Sequence, residues 1–293
     1  MKTPKCLLCK STNTKLLLES FNVHGRHLLN KKEIFKIFQC IKCESIFVSN
    51  MTVNDQYYNK YYPLDYYDGK QSYKGLIKII LDLLGWFSSK RKQGFMLNNI
   101  QLSSGKCRLL DIGCGEGNFL SSLDSLRFEK YGLEINKEGY KACLEKELRV
   151  YNQELTDIDF QDRKFDVVTL WHVLEHIKKP AKMFKKINQI LENNGILVLS
   201  TPNTDSLGFK FGKKYWFHLD SPRHLMLYNQ KSISWLLKKS KFKIIRAKSE
   251  FYDYPLDLFW SLRKSMVRFF IYPLYPLFKF FDREHLTYIC KKT

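Results

Sequence analysis

Long apolar runs are missing from this chain of 293 residues. None reaches the roughly 18 consecutive apolar positions that a bilayer-spanning helix needs. A secretory leader, with its basic start, apolar middle and small-residue cleavage site, is missing as well, so the expected location is cytoplasmic. Acidic side chains are outnumbered, 29 against 49 basic ones, for a formal net charge of +20. What that excess lacks is a block. Residues 1–100 carry 16 basic and 7 acidic side chains, residues 101–250 carry 26 and 18, and residues 251–293 carry 7 and 4. Spread in this way, the charge covers ordinary solvated faces and is only weak support for a nucleic acid or an anionic surface as partner. The length suffices for one full α/β domain with appendages and a sizeable core.

The most informative stretch is Arg108-Leu109-Leu110-Asp111-Ile112-Gly113-Cys114-Gly115-Glu116-Gly117-Asn118-Phe119. An apolar strand ends at an acid, and Gly113, Gly115 and Gly117 follow at alternate positions. Without Cβ the backbone can turn sharply and approach a ligand. The spacing is not that of a dinucleotide loop, because a Gly-x-Gly-x-x-Gly string would place its third glycine where Asn118 stands. Asp111 would also repel a pyrophosphate. One strand and helix later, Lys130-Tyr131-Gly132-Leu133-Glu134 ends on a second acid, and a carboxylate there can accept both ribose hydroxyl protons. These residues resemble motif I and the following acidic strand end of the class I methyltransferases, whose cofactor is S-adenosylmethionine. The resemblance implies that Asp111 and the loop amides sit by the methionine moiety, that the three glycines shape the floor, and that Glu134 holds the ribose.

From residue 106 onward, strand and helix patterns alternate, which points to a parallel sheet covered on both faces. Strands are expected at 107–111, 130–134, 149–151, 165–171, 195–201, 242–248 and 285–291. A helix is expected between 175 and 192, closed by the turn signal Asn193-Asn194-Gly195. The resemblance makes this a doubly wound, Rossmann-like, seven-stranded methyltransferase sheet whose last two strands form an antiparallel edge pair. In such a sheet ligands lie beyond the carboxyl ends of the strands, so Trp171 and His172 are expected to border the cofactor. Leu174-Glu175-His176 then opens the next helix in the resembling family.

Further along come Ser200-Thr201-Pro202-Asn203 and Tyr215-Trp216-Phe217-His218-Leu219-Asp220-Ser221-Pro222-Arg223-His224. The second string looks like the substrate loop of methyltransferases of cell-surface sugar and polysaccharide pathways. Methyl transfer needs near-attack geometry and, for a hydroxyl or an acidic carbon, a base. Histidine suits that task near neutral pH. His224 and His218 are the first candidates, with Asp220 to orient one of them or accept a sugar hydroxyl, and His176 is the third. The plainer alternative is that these histidines only pack the loop.

Cysteines occur in two sets. Cys6-Leu7-Leu8-Cys9 and Cys40-Ile41-Lys42-Cys43 form two knuckles about thirty residues apart, a pattern that gathers four thiolates around a structural Zn²⁺. A small β-hairpin around Phe21 to Phe38 would fill the gap. A redox pair or disulfides are the competing chemistries. Cys107, Cys114, Cys143 and Cys290 read as small buried hydrophobes. The expected organisation is a zinc-ribbon module over 1–50, a tyrosine-rich and helical connector over 51–102, and the methyltransferase domain over 103–293 with an aromatic helical insert at 251–284. Tyr57, Tyr58, Tyr61, Tyr62, Tyr66, Tyr67 and Tyr73 serve either as packing or as a substrate wall. Residues 76–102 read as one or two amphipathic helices punctuated by Gly85-Trp86 and Gly94.

In the insert, positions 259, 262, 266, 269 and 270 follow helical spacing, with Ser261, Lys264, Ser265 and Arg268 opposite. That pattern suits either a helix covering the sheet or peripheral contact with the inner face of a membrane through 255–281. The acceptor expected overall is a small molecule, sugar or glycan, nucleotide- or lipid-linked. A nucleic-acid acceptor is disfavoured, because Leu170-Trp171-His172-Val173 stands where amino-methylating enzymes of this fold carry Asn/Asp-Pro-Pro-aromatic. A zinc-stabilised binding protein without catalysis is disfavoured by the intact acidic and glycine positions.

Overall fold

The four-cysteine segment folds as a hairpin in the computed structural model, which describes residues 3–21, 33–49, 51–62, 75–100, 105–249, 256–281 and 283–293. Strands β1 (Thr14–Phe21) and β2 (Ile34–Cys40) pair antiparallel from Thr14↔Cys40 to Phe21↔Ile34, and β3 (Ile46–Val48) pairs antiparallel with β2. The expected hairpin is therefore present, with its turn outside the described residues. Helix α1 (Asp55–Tyr61) starts where the Asn54 carboxamide oxygen accepts from Tyr57 N at 3.0 Å, satisfying a donor that the first turn leaves open. Tyr57 and Tyr61 are buried with Phe35, Ile37 and Ile46 of the hairpin sheet and with Trp216 and Leu219. These two tyrosines act as packing; Tyr66, Tyr67 and Tyr73 lie outside the described residues. Helix α2 (Leu76–Leu97) is a single run of 22 residues. Gly85 and Gly94 do not divide it, since a lone glycine costs a helix only about 1 kcal/mol.

The main sheet follows from β4 (Cys107–Ile112), α3 (Asn118–Ser122), β5 (Phe128–Leu133), α4 (Lys137–Glu145), β6 (Arg149–Tyr151), β7 (Phe165–Trp171), α5 (Pro180–Ile190), β8 (Leu191–Pro202), α6 (Leu207–Gly212), β9 (Met226–Leu227), α7 (Gln230–Lys239) and β10 (Phe242–Ser249). The insert follows as α8 (Asp257–Leu262), α9 (Arg268–Ile271) and α10 (Tyr275–Phe281), and β11 (His285–Lys292) ends the fold. Seven of these strands lie in the order β10-β11-β8-β7-β4-β5-β6. Pairing is parallel from β8 to β6, and β11 runs antiparallel to both of its neighbours. Leu109, Leu110, Val168, Leu170, Leu197 and Leu199 are fully buried, as expected of central parallel strands covered on both faces.

Three local expectations need correction. The helix expected between 175 and 192 is present from Pro180 to Ile190, Pro180 near its start having the fixed φ and missing N–H that suit a first helical position, but Leu174-Glu175-His176 does not open it. Leu174–His176 instead forms a separate 3₁₀ turn. Asn193-Asn194-Gly195 does not stand outside the sheet: Phe165↔Leu191 is followed by Val167↔Ile196, so the turn signal survives as a bulge within β8. The insert is not one helix, because the chain leaves helical geometry between Arg263 and Val267. Ser261 and Leu262 are both buried. Gly212 explains this packing, since a Cβ there would stand 2.6 Å from the Ser261 carbonyl oxygen, and only glycine lets α6 and α8 approach so closely.

The hairpin sheet takes its fourth strand from β9, with Ile46↔Leu227 and Phe47↔Met226. Phe47 is buried in the same cluster as Leu110, Met226 and the cysteines. Phe47→Ala is expected to destabilise the whole protein by about 3–5 kcal/mol, read as a lower midpoint in urea denaturation.

Candidate active site

The glycine loop is held open by its own backbone. Gly113, Gly115 and Gly117 have φ of +68°, +56° and +76°, a region costly for residues with a Cβ. A Cβ on Gly113 would stand 2.5 Å from Val173 Cγ2 and one on Gly117 2.4 Å from Leu148 Cδ1, whereas one on Gly115 would meet nothing within 4 Å. Two glycines therefore serve packing, and the third faces open space. Gly113 N and Cys114 N both donate to Leu133 O, at 2.7 and 3.0 Å, tying the loop to β5.

Two acids flank this cradle. Glu134 Oε2 accepts from Gly115 N at 2.8 Å and its Oε1 from Asn136 N at 2.7 Å. Burial pushes its carboxyl above the ordinary value. Asp111 is buried and accepts from Thr169 Oγ1 at 2.6 Å. Burial raises its carboxyl from 3.8 to about 7, the Thr169 hydroxyl working the other way. Carboxylates at this separation from water favour a cationic or hydroxyl-rich ligand and reject a phosphate. Trp171, at the end of β7, lies with its ring edge-on to Phe119 at 5.3 Å and under Lys92 Nζ at 5.2 Å, on the α2 and α3 side of the sheet.

On the other side lies a cluster of histidines. The chain has seven; His24 and His27 fall outside the described residues, and the other five all gather beyond β7 and β8. His172 takes φ +57°, a conformation that non-glycine residues keep only where surrounding structure enforces it. Its ring meets that of His285 at 4.8 Å, and His285 meets His218 at 4.2 Å. His176 and His224 meet at 4.8 Å. Glu175, fully buried, sits between them, with Oε2 accepting from Thr201 Oγ1 at 3.2 Å and Oε1 3.6 Å from His172 Nδ1. Burial alone would raise its carboxyl, but His172, His224 and His176 bring it down to about 2.

The tautomers follow from partners. His224 Nδ1 lies 2.7 Å from the His218 carbonyl oxygen and so donates its proton there, leaving Nε2 with a lone pair. Burial keeps His224 neutral by lowering its pKa. His176 Nδ1 lies 2.9 Å from Tyr62 Oη and 3.1 Å from the Arg223 carbonyl oxygen, and burial together with His224 lowers its pKa to about 4. His218 Nε2 is committed to Asp257 Oδ2 at 3.1 Å, an oxygen that His285 Nε2 shares at 3.1 Å, while Lys279 Nζ holds Oδ1. Burial and His285 lower His218 to about 3.

The expectation that Asp220 orients a histidine is thereby corrected. Its carboxylate is taken by Arg223, through Nε at 2.9 Å and Nη2 at 2.5 Å, a fork that matches a carboxylate better than an imidazole does. Asp257 and His285 were not foreseen. They come from the insert and the last strand, and only tertiary packing brings them to the loop of His218.

Cys6 Sγ lies 3.6 Å from Cys43 Sγ, and Cys9 Sγ lies 3.5 Å from Cys40 Sγ. A disulfide needs about 2.05 Å, whereas tetrahedral Zn–S bonds of about 2.3 Å put sulfurs about 3.8 Å apart. All four sulfurs lie within 4.8 Å of one another, so the set fits a closed zinc shell. Glu175, His176 and His224 also bring potential ligand atoms within 4.8 Å, as do His218, Asp257 and His285. In the latter set the Lys279 ammonium already neutralises the carboxylate.

Leu225 joins the cysteine module to the histidine cluster. Leu225 N donates to Glu175 O at 2.9 Å and Leu225 O accepts from Val48 N at 3.0 Å. Tyr57 Oη donates to Pro222 O at 3.1 Å.

A family described as "Methyltransferase domain" matches residues 67–247. An uncharacterised protein of Methanocaldococcus jannaschii is 29% identical over 146 residues, 48% of this chain and 67% of that protein. The ubiquinone biosynthesis O-methyltransferase of Pasteurella multocida is 29% identical over 112 residues, 33% of this chain and 46% of that enzyme. The chain thus spans about half the length of the O-methyltransferases it matches. Among solved structures, magnesium protoporphyrin IX methyltransferase from Synechocystis PCC 6803 with bound S-adenosylhomocysteine superposes with a TM-score of 0.53 at 15% identity, over 81% of this chain and 97% of that one. A SAM-dependent methyltransferase from Archaeoglobus fulgidus gives 0.51 at 18% identity, over 71% and 94%. At these identities the structural likeness concerns the fold.

A carboxyl raised by folding gives the folded state a proton that the unfolded chain has released. For Asp111 this contribution to stability is lost as pH climbs from about 4 to about 7. Asp111→Asn is expected to remove that part of the slope when unfolding free energies of the two proteins are compared across this pH window.

Proposed function

The chain belongs to the methyltransferase domain family, and from that premise we propose that it transfers a methyl group from S-adenosylmethionine to a small-molecule or sugar acceptor in the making of a cell-surface polysaccharide or glycan. The observation that carries the proposal is the pairing of a two-acid glycine cradle with a histidine cluster across one end of one sheet. When bound, the cofactor supplies an electrophilic methyl on a sulfonium. Asp111 and the loop amides would hold its amino-acid end, Glu134 its ribose hydroxyls, and Gly115 the space between. Trp171 and His172 would close the wall towards the acceptor.

His224 is the proposed base, because its proton lies on Nδ1 and its lowered pKa keeps Nε2 free to accept. Glu175 and His176 surround and orient it. His218, with Nε2 already committed to Asp257, would fix the loop and the shape of the acceptor site. Cys6, Cys9, Cys40 and Cys43 would hold a structural Zn²⁺ that stiffens the module behind Leu225. The acceptor, nucleotide- or lipid-linked, would be met at the cytoplasmic face of a membrane. No helix among the described residues is long and apolar enough to cross one.

Calorimetry with S-adenosylhomocysteine on the zinc-loaded protein should give a one-to-one binding isotherm; a flat trace removes the proposal. Glu134→Ala should abolish that isotherm. With an acceptor found by screening sugars and nucleotide sugars, His224→Ala should lower kcat roughly 100- to 10,000-fold and leave the isotherm unchanged. Since burial lowers the His224 pKa below 6.5, the wild-type rate should hold steady as pH falls through 6.5 and decline only below it. Stripping the zinc with a chelator should cut methyl transfer while S-adenosylhomocysteine still binds, because the cradle residues take their hydrogen bonds from the main sheet and its loops.

A further inference from the structure

The insert at 256–281 has two unlike faces. Its inner face is a small core of Leu258, Leu262 and Ile271 packed against Leu207 and Phe211 of α6. Its outer face leaves Trp260, Met266, Phe269, Phe270 and Leu277 at 48%, 73%, 59%, 77% and 54% exposure. So many large apolar groups in so short a stretch exceed the scattered exposure that soluble surfaces tolerate, and such patches mark a binding face. Charge identifies the occupant. Lys264, Arg263 and Arg268 lie among these side chains, with Arg268 Cζ 4.7 Å above the Phe269 ring. Among the described residues of the insert the sole acid is Asp257. It is buried and held by Lys279, His218 and His285. Among the described residues 256–281 the outer face is thus apolar and cationic without an exposed carboxylate. A second copy of the chain would set like charges against each other there, whereas anionic lipid headgroups complement the cations and acyl chains receive the rings.

We propose that this outer face docks on an anionic lipid bilayer and that the acceptor half of the site is fixed to it. Resting on the function proposed above, this makes the acceptor a molecule presented at the bilayer surface. Trp260 lies about one helical turn from Asp257, and Asp257 is the shared acceptor for His218 and His285. The docking face and the histidine cluster are therefore one unit, and lipid contact at Trp260 brings the cluster to the membrane surface.

The test uses the whole 293-residue chain, zinc-loaded, with vesicles of phosphatidylcholine, pure or mixed with phosphatidylglycerol. Pelleting with the mixed vesicles at low salt, weakened by high salt and absent with pure phosphatidylcholine, is the expected result. The exposed pair Phe269→Ser and Phe270→Ser together should reduce the pelleted fraction about tenfold while leaving thermal unfolding and S-adenosylhomocysteine binding unchanged. With brominated acyl chains, Trp260 fluorescence should be quenched in the wild type and the quench lost in Trp260→Phe. Absence of pelleting, equal pelleting of the double variant, or a quench that persists in Trp260→Phe overturns the proposal, the last because exposed Trp86 of α2 would then be the docking residue. Sedimentation velocity that reports a dimer abolished by the same double substitution assigns the face to a second copy and also overturns it. Vesicle binding without S-adenosylhomocysteine binding would remove the methyltransferase function and leave the docking face standing.

Discussion

The site depends on the reversal of strand order beside β4. That strand has β5 on one side and β7 on the other, so the loops leaving β4 and β7 diverge and leave a crevice at their carboxyl ends. The glycine loop and the histidine cluster are both arranged around this opening. The glycine loop enters it from β4 and is pinned to Leu133 and Glu134 of the neighbouring strand end. His172 enters from β7 at a positive φ and meets His285 of the strand that starts beside β8.

Electrostatics divides the crevice into two halves. Around the glycines stand carboxyl groups that burial makes reluctant to ionise, Asp111 and Glu134. A cation bound there would relieve that cost, so its binding and the ionisation of the two acids would support each other. In the other half, burial lowers the pKa values of His176, His218 and His224, while Glu175 and Asp257 stay ionised beside them. Neutral imidazoles next to fixed negative charge form a proton-accepting environment.

The cysteine module is more than an appendage to this arrangement. Its sheet is completed by β9, and β9 follows directly from the loop that carries His218 and His224. The Leu225 peptide hydrogen-bonds the module on one side and the Glu175 turn on the other. The four thiols share a core cluster with Leu110, Ile112 and Leu133 of the main sheet, so order at Val48 would bear on the support behind His224. A segment too short for its own core gains rigidity from strand addition and would gain more from a bound metal.

Much of this was legible in the sequence. The strand run ending at Asp111, the glycine alternation and the acid at Glu134 are local patterns, since turning a backbone under a ligand demands glycine wherever the chain is placed. Cys-x-x-Cys pairs are legible for the same reason, a metal dictating ligand type and spacing. The histidine cluster was legible only in part: His176, His218 and His224 stood out by residue type, but their roles did not. Asp220 looked like the partner of a histidine and is instead clasped by Arg223 three residues on. Asp257 and His285 carry no motif and lie in other elements of the chain. Whether a histidine is base, brace or packing depends on which nitrogen holds the proton, and that is set by partners brought from distant elements. Sequence determined the two-acid glycine cradle because its constraint is local backbone geometry; tertiary structure alone decided the histidine side, because hydrogen-bond partners there are chosen by packing.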